Sequence, residues 1–168
     1  ALIELKNKGF IAVEHDITKP FNFTDSKFHL ILLLDVLEHV FDPLFLLKQA
    51  HGVMHSNGSI IVTIPLYFDL LDRIRILFSG SIISYDNRCY GDELYKKFRS
   101  FNYDHIRFFQ PNDIFSMIDI LGLKVVSYKY SPMRYPGNIL ISKIVKLFAN
   151  NFTVNLMPKI LAHRMTVV

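Results

Sequence analysis

"FHLILLLDVLEHVFDPLFLLKQAHGVMHSNGSIIVTIP" (residues 28–65) decides the fold. Its first seven residues, "FHLILLL", form an apolar run of strand length, the kind that suits a strand buried on both faces of a parallel sheet. The run stops at Asp35. A short loop leads to "DPLFLLKQAHGVM" (42–54), where Asp42 can cap a helix and Pro43 suits its first turn. Leu44, Leu47, Ala50 and Met54 recur at helical spacing, which predicts one buried face. "SNG" (56–58) reads as a turn. "SIIVTIP" (59–65) reads as a second, β-branched strand stopped by Pro65. Strand, helix and strand of these lengths make a βαβ unit.

The same pattern extends to both sides. Residues 1–8 read as a helix ended by Gly9, and "FIAVEHD" (10–16) as a strand. Beyond Pro65, "LYFDLLDRIRILFSG" (66–80) is amphipathic. Residues 81–110 lack a period and hold Tyr85, Tyr90, Tyr95, Phe98, Phe101, Tyr103, Phe108 and Phe109, which points to an aromatic insertion or lid. "QPNDIFSMIDILG" (110–122) is a helix capped near Pro111 or Asn112. "LKVVSYKY" (123–130) is a strand, "ILISKIVKLFAN" (139–150) an amphipathic helix with Ile139, Ile141, Ile144, Leu147 and Phe148 on its apolar side, and "ILAHRMTVV" (160–168) a last strand. Alternating strands and helices predict a single α/β domain over residues 1–168 with a mostly parallel sheet. Sites in such sheets lie beyond the carboxyl ends of the strands, here Asp16, Leu34 with Asp35, and Pro65.

Composition narrows the function. At 51% hydrophobic and 20% charged, the chain is globular in type rather than disordered. No apolar run is long enough to cross a bilayer, and no signal peptide is visible, so a membrane role is not expected. Cys89 is the single cysteine, which excludes an internal disulfide and a cysteine-rich zinc site and fits a cytoplasmic location. From Ile120 onward there are seven Lys/Arg and no Asp/Glu, whereas the first 119 residues carry 12 basic and 15 acidic groups. The basic residues are scattered, which argues against a dedicated nucleic-acid stripe.

The 28–65 stretch resembles the class I S-adenosylmethionine-dependent methyltransferases. In their small-molecule group an acid ends a strand, followed by "LEH", a Pro-led helix, a glycine turn and a strand ending in Pro. "DHIRFFQPNDIFSMIDILGLKVVSY" (104–128) resembles the later part of the same group, and "ILFSG" the subset near the methionine-biosynthesis-type proteins. "LAHRMTVV" fits the antiparallel last strand of that fold, an incomplete Rossmann-like sheet with helices on both faces. The family's glycine-rich loop has no match, since the seven glycines stand singly. Residues 1–8 therefore correspond to the helix after the family's second strand, and the chain is expected to be the C-terminal two-thirds of the domain.

The resemblance implies S-adenosylmethionine as cofactor and a small-molecule methyl acceptor. It puts Asp16 on the adenine amino group, Ile17 on the ring, Leu34 beside the cofactor, and Asp35 between cofactor and acceptor. It places His39, Tyr67, His105, Arg107 and Phe108 on the acceptor side. His105 is a candidate general base, because an unperturbed imidazole titrates near neutrality. Asp16 also reads as a turn cap, Asp35 as a helix cap or partner of His39, and His39 and His105 as structural histidines. Asp35, Glu38 and His39 allow a metal by their spacing, but no metal is expected there.

Methyl transfer is the first reading, with this chain alone expected to be inactive. The alternative is a non-catalytic methyltransferase-like protein binding a partner or lipid surface through its aromatic insertion and basic C-terminal part. A nucleotide-binding α/β module lacks its phosphate loop. With the intervening strands absent, the sequence predicts N-terminal disorder, direct pairing of strands 10–15 and 29–34, or a homo-oligomer covering the exposed sheet edge.

Overall fold

A computed structural model describes residues 2–21, 27–79, 105–132 and 139–168. Most of the expected insertion, residues 81–104, lies outside the described residues, together with Tyr85, Tyr90, Tyr95, Phe98, Phe101 and Tyr103. The expected βαβ unit is present. Strand β1 (Phe28–Leu34) leads through a single 3-10 turn (Leu37–His39) to helix α2 (Pro43–Gly52) and strand β2 (Met54–Pro65). Asp42 caps α2 as expected, its carboxylate accepting from the Phe45 amide at 2.8 Å, with Pro43 in the first turn. The buried face of α2 is Leu46, Leu47 and Ala50; Leu44 and Met54 are only partly covered.

Residues 56–58 are not the expected turn. They belong to β2, which bulges where Phe28 pairs with Met54 but Leu30 pairs with Ser59. Glycine is needed at the bulge: a Cβ on Gly58 would stand 2.8 Å from the Phe28 carbonyl oxygen and 2.7 Å from Met54 Cγ.

The remaining described elements are α1 (Leu2–Asn7), α3 (Leu70–Ser79), α4 (Pro111–Ile120), β3 (Tyr128–Pro132), α5 (Ile139–Phe148), α6 (Asn151–Leu156), α7 (Pro158–Leu161) and β4 (Ala162–Val167). The four strands form one mixed sheet of order β1-β2-β4-β3. β1 and β2 are parallel, and β4 runs antiparallel to both β2 and β3. The last strand is thus antiparallel, as the resemblance implied. β3 begins at Tyr128 rather than Leu123, because only residues 126–132 reach β4 or the Val168 backbone. Helix α4 is closed by a capping box between Gln110 and Asp113, and Gly122 takes the left-handed position after it, with φ 67°.

One core joins Leu33, Leu37, Leu46, Ile64, Ile114, Tyr130, Val154 and Met165, from all four strands and the helices against them. Three expectations fail. Residues 10–16 form no strand: Phe10, Ile11 and Val13 are exposed, and the segment has no place in the sheet order, so it does not pair with β1. Alternating apolar residues supply a face, but without a ladder partner they do not make a strand. β1 is an edge strand, not one buried on both faces. Ile31 and Leu33 meet the core while Leu30, Leu32 and Leu34 are exposed. In α5, Val145 is buried, as is Ala149 just beyond its end, while Leu147 and Phe148 are exposed, so those two do not belong to the helix's packed side. Among the described residues no helix is long and apolar enough to cross a membrane.

Candidate functional site

The sheet register builds the site around Asp35. Leu34 is opposite Thr63, and Pro65 is opposite Arg164, so the tips of β1, β2 and β4 converge. Asp35 is reached by all three. Its amide donates to the Thr63 carbonyl at 3.0 Å, the Thr63 hydroxyl donates to its carboxylate at 3.1 Å, and Arg164 Nη2 stands 2.9 Å from Oδ2. Asp35 holds φ 53°, in the left-handed region where aspartate is one of the few tolerated side chains. That conformation turns the chain sharply out of β1 and into the 3-10 turn.

The turn carries Leu37, fully buried, then Glu38 and His39. Glu38 is 1% exposed, and its two carboxylate oxygens have no hydrogen-bond partner among the described residues. Burial pushes its carboxyl above the ordinary glutamate value, with the Asp35 charge adding to the rise and His39 and Arg164 opposing it.

The segment before α4 docks on this turn. The Ile106 and Arg107 amides both donate to the Glu38 carbonyl, at 2.9 and 3.1 Å. The Arg107 guanidinium donates to the Phe41 carbonyl through both Nε and Nη2. His105 is thereby set beside the turn, its ring edge-to-face with His39 at 4.6 Å. Burial and the neighbouring His39 hold His105 below the ordinary histidine value, which favours a neutral ring.

A third segment follows β2. Leu66 bridges to Phe109, and Tyr67 hydrogen-bonds to His105 Nδ1 through its hydroxyl. The Tyr67 ring packs edge-on against Phe108 at 4.7 Å, and Gln110 Nε2 donates to the Tyr67 carbonyl at 2.6 Å. Phe68, next in the chain, is the other non-glycine residue with positive φ among those described, at 62°. An open hollow lined by Phe68, Arg73, Ile76, Leu77 and Gln110 adjoins this segment.

Asp35, His39, Tyr67, His105, Arg107 and Phe108 are therefore brought together. Asp16 and Ile17 are not tied to them by any described contact. Asp16 caps its own turn, accepting from the Thr18 hydroxyl at 2.6 Å and the Thr18 amide at 3.0 Å. Those bonds, with Lys19 nearby, hold its carboxyl below the ordinary aspartate value. Leu34 is half exposed at the free edge of β1. Arg107 reaches a backbone carbonyl, so in this structure it clamps the loop rather than presenting its charge. Thr63, Arg164 and Glu38 were not singled out from sequence as cofactor- or acceptor-side residues. Thr63 had a visible signal, as the polar residue inside the apolar run 60–65.

The fold is shared with solved structures. The chain superposes on a SAM-dependent methyltransferase from Archaeoglobus fulgidus with a TM-score of 0.54 at 13% identity, covering 98% of this chain and 69% of that one. An S-adenosylmethionine-dependent methyltransferase from Clostridium acetobutylicum gives 0.54 at 13% identity, over 98% and 67%. No curated protein sequence matches. Residues 3–128 match the family described as Methyltransferase domain. That match runs from α1 through the Asp35 turn and α4 to the start of β3, and on it the chain belongs to the methyltransferase-domain family of enzymes.

Proposed function

We propose that the chain provides the acceptor side and part of the donor side of an S-adenosylmethionine-dependent methyltransferase whose acceptor is a small molecule. The observation that carries this is the position of Asp35: an acid in left-handed conformation at a parallel strand tip, fixed by Thr63 and Arg164 and bordered by His39, Tyr67 and His105. The residues fit the donor by their chemistry. Asp16 is exposed and ionised at neutral pH, so it can accept from an adenine amino group, with Ile17 beside it for the ring. The exposed Leu34 offers an apolar wall, and Asp35 can face an ammonium or a sulfonium.

The donor supplies an already activated methyl group. What the chain has to supply is position, which for well-oriented reactants is worth about 7–11 kcal/mol. Tyr67, Phe108 and His105 stack edge-to-face into one aromatic wall on the acceptor side. The single cysteine fits a reducing, cytoplasmic setting, and a second copy over the free edge of β1 fits the exposed Leu30, Leu32 and Leu34.

Calorimetry and thermal shift with S-adenosylmethionine and S-adenosylhomocysteine test the reading. The expected result is a rise in Tm with either ligand that is reduced in Asp35→Ala. No shift at saturating ligand would overturn it.

A further inference from the structure

Methyl transfer leaves Glu38 without a task. A buried carboxylate whose oxygens find no hydrogen-bond partner among the described residues is costly, and such groups are normally paired or bound to a metal. Two imidazoles stand near it. His39 Nε2 and His105 Nε2 each lie 3.9 Å from Glu38 Oε1, and one ligand atom from each residue falls within 4.8 Å of the others. We propose that Glu38, His39 and His105 form a binding site for a divalent transition-metal ion of the zinc class.

The donor set selects the ion. Two ring nitrogens and one carboxylate suit zinc and its neighbours, whereas magnesium and calcium take oxygen ligands. Three protein ligands leave at least one position for water or an acceptor heteroatom. Metal–ligand bonds of about 2.0–2.1 Å at tetrahedral angles require donors roughly 3.3 Å apart, so each ring nitrogen must draw in on Glu38 by about half an ångström, and the widest separation, at most 4.8 Å, must close by up to about 1.5 Å.

The surroundings support this assignment. The Tyr67 hydroxyl engages His105 at Nδ1 and orients the ring, whose Nε2 is the nitrogen on the Glu38 side. The Ile106 and Arg107 amides pin the segment carrying His105 to the Glu38 carbonyl. Asp35, grouped with Glu38 and His39 by spacing, is instead committed to Thr63 and Arg164. His105 then acts through Nε2 as a ligand and not as a general base. The inference is independent of the methyl-transfer reading, because an ion binds here without donor or acceptor.

The test uses the 168-residue chain stripped with a chelator, then titrated with Zn2+ against a chromophoric competitor and with Co2+ by visible absorption. One ion per chain is expected, with cobalt bands of a low-coordinate nitrogen/oxygen site and a higher Tm; Mg2+ should leave Tm unchanged. Glu38→Gln, which keeps size and shape, should weaken Zn2+ by more than about 100-fold, and Tyr67→Phe by about 10–100-fold. His39→Ala and His105→Ala should also abolish the cobalt spectrum. His29 and His55, whose rings stack at 4.4 Å, are the control, and His55→Ala should change nothing. The proposal is overturned if the wild-type chain takes up no stoichiometric ion, if Glu38→Gln binds as tightly as wild type, or if only His55→Ala loses it.

Discussion

Two acids follow apolar stretches in this chain, Asp16 after residues 10–15 and Asp35 after β1, and the fold treats them oppositely. Asp35 is reached from three strands, and the turn behind it plants Leu37 in the core. Asp16 is satisfied within its own turn by Thr18 and Lys19, and the residues before it are exposed. An acid at the end of an apolar run becomes part of a built site only when neighbouring strands pair alongside it. Local pattern is equal in the two places; the partners are not.

The strongest way to break that comparison is through the core beneath each acid. Leu37→Ala should destabilise the fold by about 2–5 kcal/mol, because it removes a fully buried side chain where the 3-10 turn meets α2 and β2. Ile11→Ala should stay within about 0.5 kcal/mol, since Ile11 is 98% exposed. Urea titration of both variants measures the difference. Equal losses would mean that residues 10–15 are packed in solution. Next in size is the backbone at Asp35. Asp35→Val should cost about 1–3 kcal/mol, because a β-branched residue resists φ 53°. Asp35→Asn tolerates that φ and keeps an oxygen for Thr63, and the half-exposed pairing with Arg164 that it loses is worth about 1 kcal/mol at most. Thermal melts should therefore rank Val well below Asn.

The legible parts of the fold are those fixed by local signals. Asp42 with Pro43 announced α2, Gly122 closed α4, and the β-branched run to Pro65 marked the end of β2. The edge position of β1 was hidden, because "FHLILLL" is equally apolar whether one face or two are covered. The bulge at residues 54–58 was hidden because "SNG" has turn composition in either setting. At the site, family resemblance puts His105, Arg107 and Phe108 on the acceptor side, and the structure sets their segment beside the turn at Glu38. Glu38 was passed over because its burial depends on residues 105–107, far along the chain. Spacing alone grouped it with Asp35, and only the register that brings Arg164 and Thr63 to Asp35 separates the two acids.

A smaller effect tests how the Asp35 side is held together. Arg107→Ala removes the guanidinium bonds to the Phe41 carbonyl while leaving the Ile106 and Arg107 amides on Glu38. The loss should be about 0.5–1.5 kcal/mol. Hydrogen exchange should quicken first at the Ile106 and Arg107 amides, with α2 unaffected. Uniform loss of protection across the sheet would show instead that the clamp carries the whole fold.

The smallest stability effect belongs to Asp16, and there the comparison becomes sharpest. Asp16→Asn keeps an oxygen that can accept from the Thr18 amide and hydroxyl, so the turn survives and Tm should not move. The other oxygen becomes an NH2 group, a donor where the proposed adenine amino group also donates. Affinity for S-adenosylhomocysteine should therefore fall by about tenfold or more. The same change at Asp35 alters both Tm and ligand binding, because that carboxylate holds strands as well as facing the ligand. Calorimetry on Asp16→Asn separates the two roles: unchanged affinity would confine Asp16 to capping its turn and leave the donor site to the β1 tip.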